Sequence, residues 1–406
     1  MANQRKYDII VWGASGFTGR LVAEYLFEQY GVNDSLKWAM AGRNKAKLEA
    51  VRAEVADDTV PLVLADSQDM ASLDAMTKSA TVICTTVGPY AKYGDKLVEA
   101  CINNQTHYCD LAGEVQWMRR MIDKHHDAAK ANGTKIVHTC GFDSIPSDMG
   151  VYFVQQEAIK QTGKPAQKIE MRVKAMKGGM SGGTYASMSE MKAEAEKDKS
   201  IYGILADPYA LNPEGERSGP DRKDLMKVVY DETSKSWIMP FVMAGINTRV
   251  VRRSNALANY PYGKDFQYDE AMLSGDGIGG RLKGLATAGV MGIVMMAKPG
   301  SLLKKGVDKM LPEPGEGPNA TERKNGFYNL LFNATLADGS IARGKVTGDR
   351  DPGYGSTSKM LAESAICLAV DDIPDMGGML TPAVAMGDAL LKRLQDNAGL
   401  AFSYKS

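Results

Sequence analysis

Three glycines at a spacing of three, Gly13, Gly16 and Gly19, separate the apolar run "YDIIVWG" from the segment "FTGRLVAEYLFEQYG". A short run of β-branched and aromatic residues without alternation reads as a strand buried on both faces. In the second segment Phe17, Leu21, Val22, Tyr25, Leu26 and Tyr30 recur at helical spacing. The glycines therefore mark a strand-to-helix turn. There Gly13 permits the tight turn, Gly16 the close approach of a pyrophosphate, and Gly19 the packing of helix on sheet. The N-terminus of the helix supplies backbone N–H groups to an anion. Gly13, Ala14, Ser15, Gly16, Phe17, Thr18 and Gly19 are accordingly the expected dinucleotide cradle.

The rest of the first third continues the alternation of strand and helix patterns. "LKWAMAGR" reads as a second strand, and its end is where such folds read the cofactor ribose. An aspartate or glutamate there suits NAD, whereas this chain has Arg43 and Asn44. A guanidinium grips a 2′-phosphate bidentately, so NADP(H) is the expected cofactor; an exposed surface arginine is the alternative. "VPLVLAD" ends at Asp66, within reach of an adenine amino group. "ATVICTTVGPY" runs into Val87, Gly88, Pro89 and Tyr90, which are expected at the nicotinamide end. The fold class expected is α/β: a Rossmann-type, doubly wound parallel sheet.

Composition narrows the function. With 49 basic and 49 acidic residues the formal net charge is zero, which gives no electrostatic footprint for nucleic acid. Cys84, Cys101, Cys109, Cys140 and Cys367 form no C-x-x-C pair, which fits reduced thiols in a cytoplasmic protein. The polar start "MANQRKYD" is unlike a signal peptide. His107, His125, His126 and His138 show no metal-ligand spacing, and no metal is expected. No G-x-S-x-G elbow or Ser-His-Asp arrangement is readable, which argues against hydrolysis.

"GASGFTGR", "AGRN", "VGPYAKYG", "DLAGE" and "CGFDSIPSD" resemble the saccharopine dehydrogenase-like oxidoreductases, and among them the trans-acting enoyl reductases of mycobacterial lipid synthesis. The resemblance continues through "KGGMSGGTYASM", "NTRVVRRSNAL", "DRDPGYGSTSKMLAES" and "LTPAVAMGDALLKRL". It implies an NADP(H)-binding first domain and reduction of a carbon–carbon double bond in a fatty acyl or polyketide chain, held on a carrier protein or coenzyme A. Lipid or glycolipid biosynthesis is the implied setting, and a homodimer is expected. Two other functions stay open: an oxidoreductase of amino-acid adducts, and a non-catalytic NADP-binding protein at lipid surfaces.

After Asp148 the alternation stops. Strand patterns such as "QKIEMRVKAMKGG" and a hairpin signal at Asp338-Gly339 point to a second, α+β domain with a mainly antiparallel sheet. The expected division is 1–148 for the cofactor domain, 149–375 for a substrate and dimerisation domain, and 376–406 for a C-terminal helix packing back on the first. Thr381 is expected to cap the helix that begins at Pro382, and Glu114 to open the helix "VQWMRRMIDKHH". "LADPYALNPEGERSGPDRKD" reads as a lid or a surface loop. "GLATAGVMGIVMMA", residues 284–297, is uncharged but too short to span a bilayer. Arg281, Lys283, Lys298, Lys304, Lys305 and Lys309 surround it against Asp308 alone. It reads either as a core helix or as an interfacial segment. On the second reading residues 281–309 give peripheral contact with the inner face of the plasma membrane.

Enoyl reduction places negative charge on the thioester oxygen and needs a proton for the α-carbon. Tyr90 and Tyr93 are the phenols nearest the expected nicotinamide position. Asp143 and Ser144 follow as catalytic candidates, with helix capping as the alternative role for "DSIPSD".

Overall fold

Ile9, Ile10 and Val11 are wholly buried because both faces of their strand are covered. The structure, a computed structural model, describes residues 5–178, 182–296 and 317–406. Its strands, numbered along the chain, are β1 (Tyr7–Trp12), β2 (Trp38–Gly42), β3 (Leu62–Leu64), β4 (Ala80–Thr85), β5 (His107–Cys109), β6 (Lys135–Val137) and β7 (Lys168–Lys177). Then come β8 (Val229–Asp231), β9 (Ser236–Met239), β10 (Gln267–Gly275), β11 (Phe327–Thr335), β12 (Ile341–Gly348), β13 (Gly378–Leu380) and β14 (Leu400–Lys405).

The first sheet runs β13-β6-β5-β4-β1-β2-β3 with every neighbour parallel. Successive residues of β1 serve opposite layers. Ile9 and Val11 pack with Val22 and Leu26 of the helix Phe17–Tyr30, and Ile10 and Trp12 with Leu73, Met76 and Val98 of the other layer. In the middle of the sheet Ile10 lies beside Ala39 of β2 and Ile83 of β4. The chain first builds outward from β1 through β2 and β3, then on the other side through β4, β5 and β6. The switch point thus falls between β1 and β4, where open sheets of this kind bind ligands.

The second sheet runs β14-β12-β11-β7-β10-β9-β8 and is antiparallel except for the β7–β10 pair. Asp338-Gly339 does form the turn between β11 and β12, with Gly339 at φ +85°. The helix Ile145–Thr162 closes on this sheet at Gly150, where a β-carbon would stand 2.4 Å from the Phe332 ring. The C-terminal stretch serves both sheets. Met379 of β13 pairs with Ile136, and Phe402 of β14 pairs with Val346 of β12. The helix Thr357–Val370 covers β1, β4 and β5 of the first sheet.

The structure narrows the reading of two segments. The Pro/Gly-rich stretch that reads as a lid or surface loop is pinned by buried arginines. Arg119 donates to the Ala210 and Asn212 carbonyls, Arg252 pairs with Asp221 at 2.5 Å, and Arg249 pairs with Asp224 at 2.8 Å. Arg253 reaches the Leu211 and Met379 carbonyls. These groups need partners because burial strips them of water. The uncharged segment lies in the helix Gly277–Met296, and it is no core helix: Leu285, Val290 and Ile293 are exposed. Lys298, Lys304, Lys305, Asp308 and Lys309, like Ala297, lie outside the described residues.

Candidate cofactor cleft and active site

Most of the groups that line a cleft over the first sheet sit at or just beyond the carboxyl end of a strand. Trp12 and Gly13 close β1, Gly42 and Arg43 close β2, Ser67 follows β3, and Thr86 and Val87 follow β4. With Ser15, Gly16 and Tyr93 they enclose about 300 Å³.

The glycine turn is built for a close approach. Gly13 takes φ +89°, and a β-carbon on it would meet the Val87 side chain at 2.6 Å. A β-carbon on Gly19 would stand 2.2 Å from the Gly13 carbonyl oxygen, so only glycine lets the helix start this near the strand. Gly16 occupies the N-cap position without a capping side chain. The first turn of the helix therefore offers its N–H groups outward, as a pyrophosphate requires. Ala14 is buried and Phe17 packs edge-on against Tyr354 at 4.7 Å, so neither side chain is directed to a ligand and only their backbone is left for one.

At the β2 end Arg43 is exposed, lines the cleft, and makes no ion pair or side-chain hydrogen bond among the described residues. Beside it, Asn44 commits its side-chain oxygen locally. Its Oδ1 accepts from Lys47 N at 3.0 Å and caps the next helix. Asp66 likewise spends a carboxylate oxygen on its own turn, accepting from Gln68 N at 2.9 Å, and Ser67 takes its place on the cleft wall.

Tyr90 is corrected from catalytic candidate to structural post. It is buried, stacked on Trp117 at 5.5 Å, and its hydroxyl donates to the Thr85 carbonyl and accepts from Leu111 N at 3.1 Å. Burial and the neighbouring Asp110 push that hydroxyl well above the usual phenol range. Glu114 stands at the start of its helix as expected, but its carboxylate reaches across to accept Tyr90 N, Ala91 N and the Ser187 hydroxyl. Tyr93, by contrast, is 38% exposed and faces the cleft.

Asp110 ties the ends of β5 and β6 together. Its carboxylate accepts from the Tyr108 hydroxyl, Ala112 N and Thr139 N, and lies 2.7 Å from His138 Nδ1. Thr139 holds φ +63° under that grip. Near this knot, but outside the residues that line the cleft, the Asp143 carboxyl borders Gly113 and Gly141 beyond the ends of β5 and β6. Burial raises the Asp143 carboxyl to about 7, which suits a group that exchanges a proton near neutrality. Ser144 does not join it: wholly buried, it donates to Asn247 Oδ1 at 3.1 Å. Asp148 accepts from Ser254 and from Ala383 N, so Asp148 caps the helix that Thr381 was expected to cap. The Thr381 hydroxyl instead meets the Ser254 hydroxyl at 2.7 Å.

Fold and cleft together define a two-sheet, dinucleotide-dependent oxidoreductase. Residues 9–137 match the saccharopine dehydrogenase NADP-binding domain, and that part of the chain is an NADP-binding domain. A Mycobacterium tuberculosis protein assigned as a trans-acting enoyl reductase is 39% identical over 416 residues, covering 97% of this chain and 96% of that one. The trans-acting enoyl reductase of Mycobacterium ulcerans is 37% identical over 406 residues, covering 96% of each. Saccharopine dehydrogenase from Saccharomyces cerevisiae shares the fold at a TM-score of 0.54 and 12% identity, over 98% of this chain and 99% of that one. The chain belongs to the trans-acting enoyl reductase family, within the wider saccharopine dehydrogenase-like oxidoreductases.

Proposed function

We propose that this chain is an NADPH-dependent enoyl reductase of fatty acyl or polyketide thioesters, presented on a carrier protein or coenzyme A during lipid or glycolipid synthesis. Kinship over nearly the whole chain supports the reaction class. The observation that carries it against an amino-acid adduct is the fate of the buried arginines. Arg119, Arg249, Arg252 and Arg253 all end on protein carbonyls or carboxylates, so none of them is spare to read substrate carboxylates.

The residues fit the cofactor: the glycine cradle takes the pyrophosphate and Arg43 the 2′-phosphate. When bound, NADPH supplies a hydride to the β-carbon of the acyl chain. Charge then builds on the thioester oxygen, which needs a preorganised donor. Tyr93 fills that role from the cleft wall. Asp143, protonated below about pH 7, delivers the α-carbon proton. Glu114 and Asp110 hold the two loops that carry these groups. The test is NADPH consumption by the purified chain with trans-2-enoyl thioesters of several lengths, beside saccharopine-type adducts assayed in reverse. Turnover of a thioester supports the reading, and turnover of an adduct alone overturns it.

A further inference from the structure

The helix Gly277–Met296 inverts the usual arrangement of a surface helix, in which the large apolar residues face the core. Its buried side is glycine. A β-carbon on Gly280 would stand 2.2 Å from the Gly275 carbonyl oxygen, and one on Gly284 would stand 2.8 Å from the Ser274 hydroxyl. Its outward side carries Ile278, Leu282, Leu285, Val290 and Ile293, each at least half exposed. At about 3.6 residues per turn these five fall on one stripe, with Arg281 on one margin and Lys283 on the other. Beside the helix, Arg281 lies over the Trp237 ring at 5.2 Å, and Trp237 meets the exposed Tyr230 of edge strand β8 edge-on at 5.7 Å.

We propose that this stripe docks the protein on an anionic lipid surface, lying in the interface rather than crossing it. Bare aliphatics flanked by cations, with tyrosine and tryptophan alongside, match the layered chemistry of a bilayer surface: hydrocarbon, then anionic head groups, with aromatic rings between. No helix among the described residues is long and apolar enough to span. Charge selects the occupant. The helix Gly277–Met296 carries two basic residues, Arg281 and Lys283, and no acidic one. A second copy of this chain would bring like charge against like, whereas an anionic membrane brings the opposite sign. The middle of the stripe also offers no side-chain hydrogen bond to a protein partner. The inference stands apart from the reductase reading, because docking does not depend on turnover.

The test is co-sedimentation of the full chain with phosphatidylcholine vesicles, and with vesicles in which about a third of the lipid is phosphatidylglycerol. The variants are L282Q/L285Q and R281Q/K283Q. Binding is expected on anionic vesicles, weaker at high salt, and roughly tenfold weaker in L282Q/L285Q from lost apolar contact. R281Q/K283Q is expected to lose the preference for anionic lipid. NADPH binding should be unchanged in both variants, which reports that the cofactor domain is intact. No binding by the wild type, or equal binding by wild type and L282Q/L285Q, overturns the proposal. So does a dimer in sedimentation that L282Q/L285Q dissociates, since the stripe would then be covered by a second copy.

Discussion

The Glu114 carboxylate accepts the backbone N–H groups of Tyr90 at 2.9 Å and Ala91 at 2.8 Å. One side chain from the strand-end loop after β5 thus caps the short helix Tyr90–Tyr93 that follows β4. Glu114→Gln keeps one amide oxygen but cannot accept both N–H groups as an anion does. The expected result is a lower kcat with an unchanged dissociation constant for NADPH. Equal losses in both would place Glu114 in cofactor binding instead.

Arg43→Ala should weaken NADPH binding by about 1.5–3 kcal/mol, the scale of a hydrogen bond to a charged group, and leave NADH binding nearly unchanged. Calorimetric titration with both nucleotides separates the cases. A parallel loss for NADH would remove the 2′-phosphate from Arg43.

Gly19→Ala drives a β-carbon into the Gly13 carbonyl, so the helix must retreat from the strand. A loss of about 1–3 kcal/mol in urea-unfolding stability is expected, the scale of overpacking, together with loss of NADPH binding. Tight NADPH binding by this variant would show that the turn is not the cradle.

Burial lifts the carboxyl of Asp148 to about 7 in the folded protein, above its unfolded value near 4. Between these values the folded state holds a proton that the unfolded chain has released, so this group makes stability fall as pH rises from about 4 to 7 and then level off. Melting temperatures across that range should fall less steeply in Asp148→Asn than in wild type. Identical slopes would contradict the assignment. In catalysis, Asp143→Asn should abolish the decline of kcat as pH rises through about 7.

Arg253→Met should destabilise strongly. It leaves the buried carbonyls of Leu211 and Met379 without their donor, at about 1–3 kcal/mol each. Proteolysis of the 205–224 segment should be faster in this variant than in wild type.

The strand-turn-helix at Gly13 to Gly19 and the strand ends at Arg43 and Val87 were legible because periodicity and glycine spacing are local. Asp338-Gly339 was legible for the same reason. What escaped is set by distant partners. Tyr90 reads as a free phenol until Leu111 and Thr85 occupy its hydroxyl. Thr381 reads as a cap until Asp148, far away in sequence, takes the N–H. Trp12, Gly42, Ser67 and Thr86 are each the chain neighbour of a residue named from the sequence, so widening each named position by one residue finds the rest of the cleft wall. The exposed stripe of Gly277–Met296 could not be read from apolar content alone, because a core helix has the same residues with the opposite side buried.

The most direct measurement is the fate of deuterium from NADPH labelled at the transferable position of the nicotinamide. The protein is incubated with this cofactor and a trans-2-enoyl thioester, and the acyl product is examined by mass spectrometry. The account predicts a saturated chain with one deuterium at the β-carbon, formed by wild type and strongly reduced in Tyr93→Phe. A saturated product without the label, or labelled cofactor consumed only with an amino-acid adduct, would contradict it.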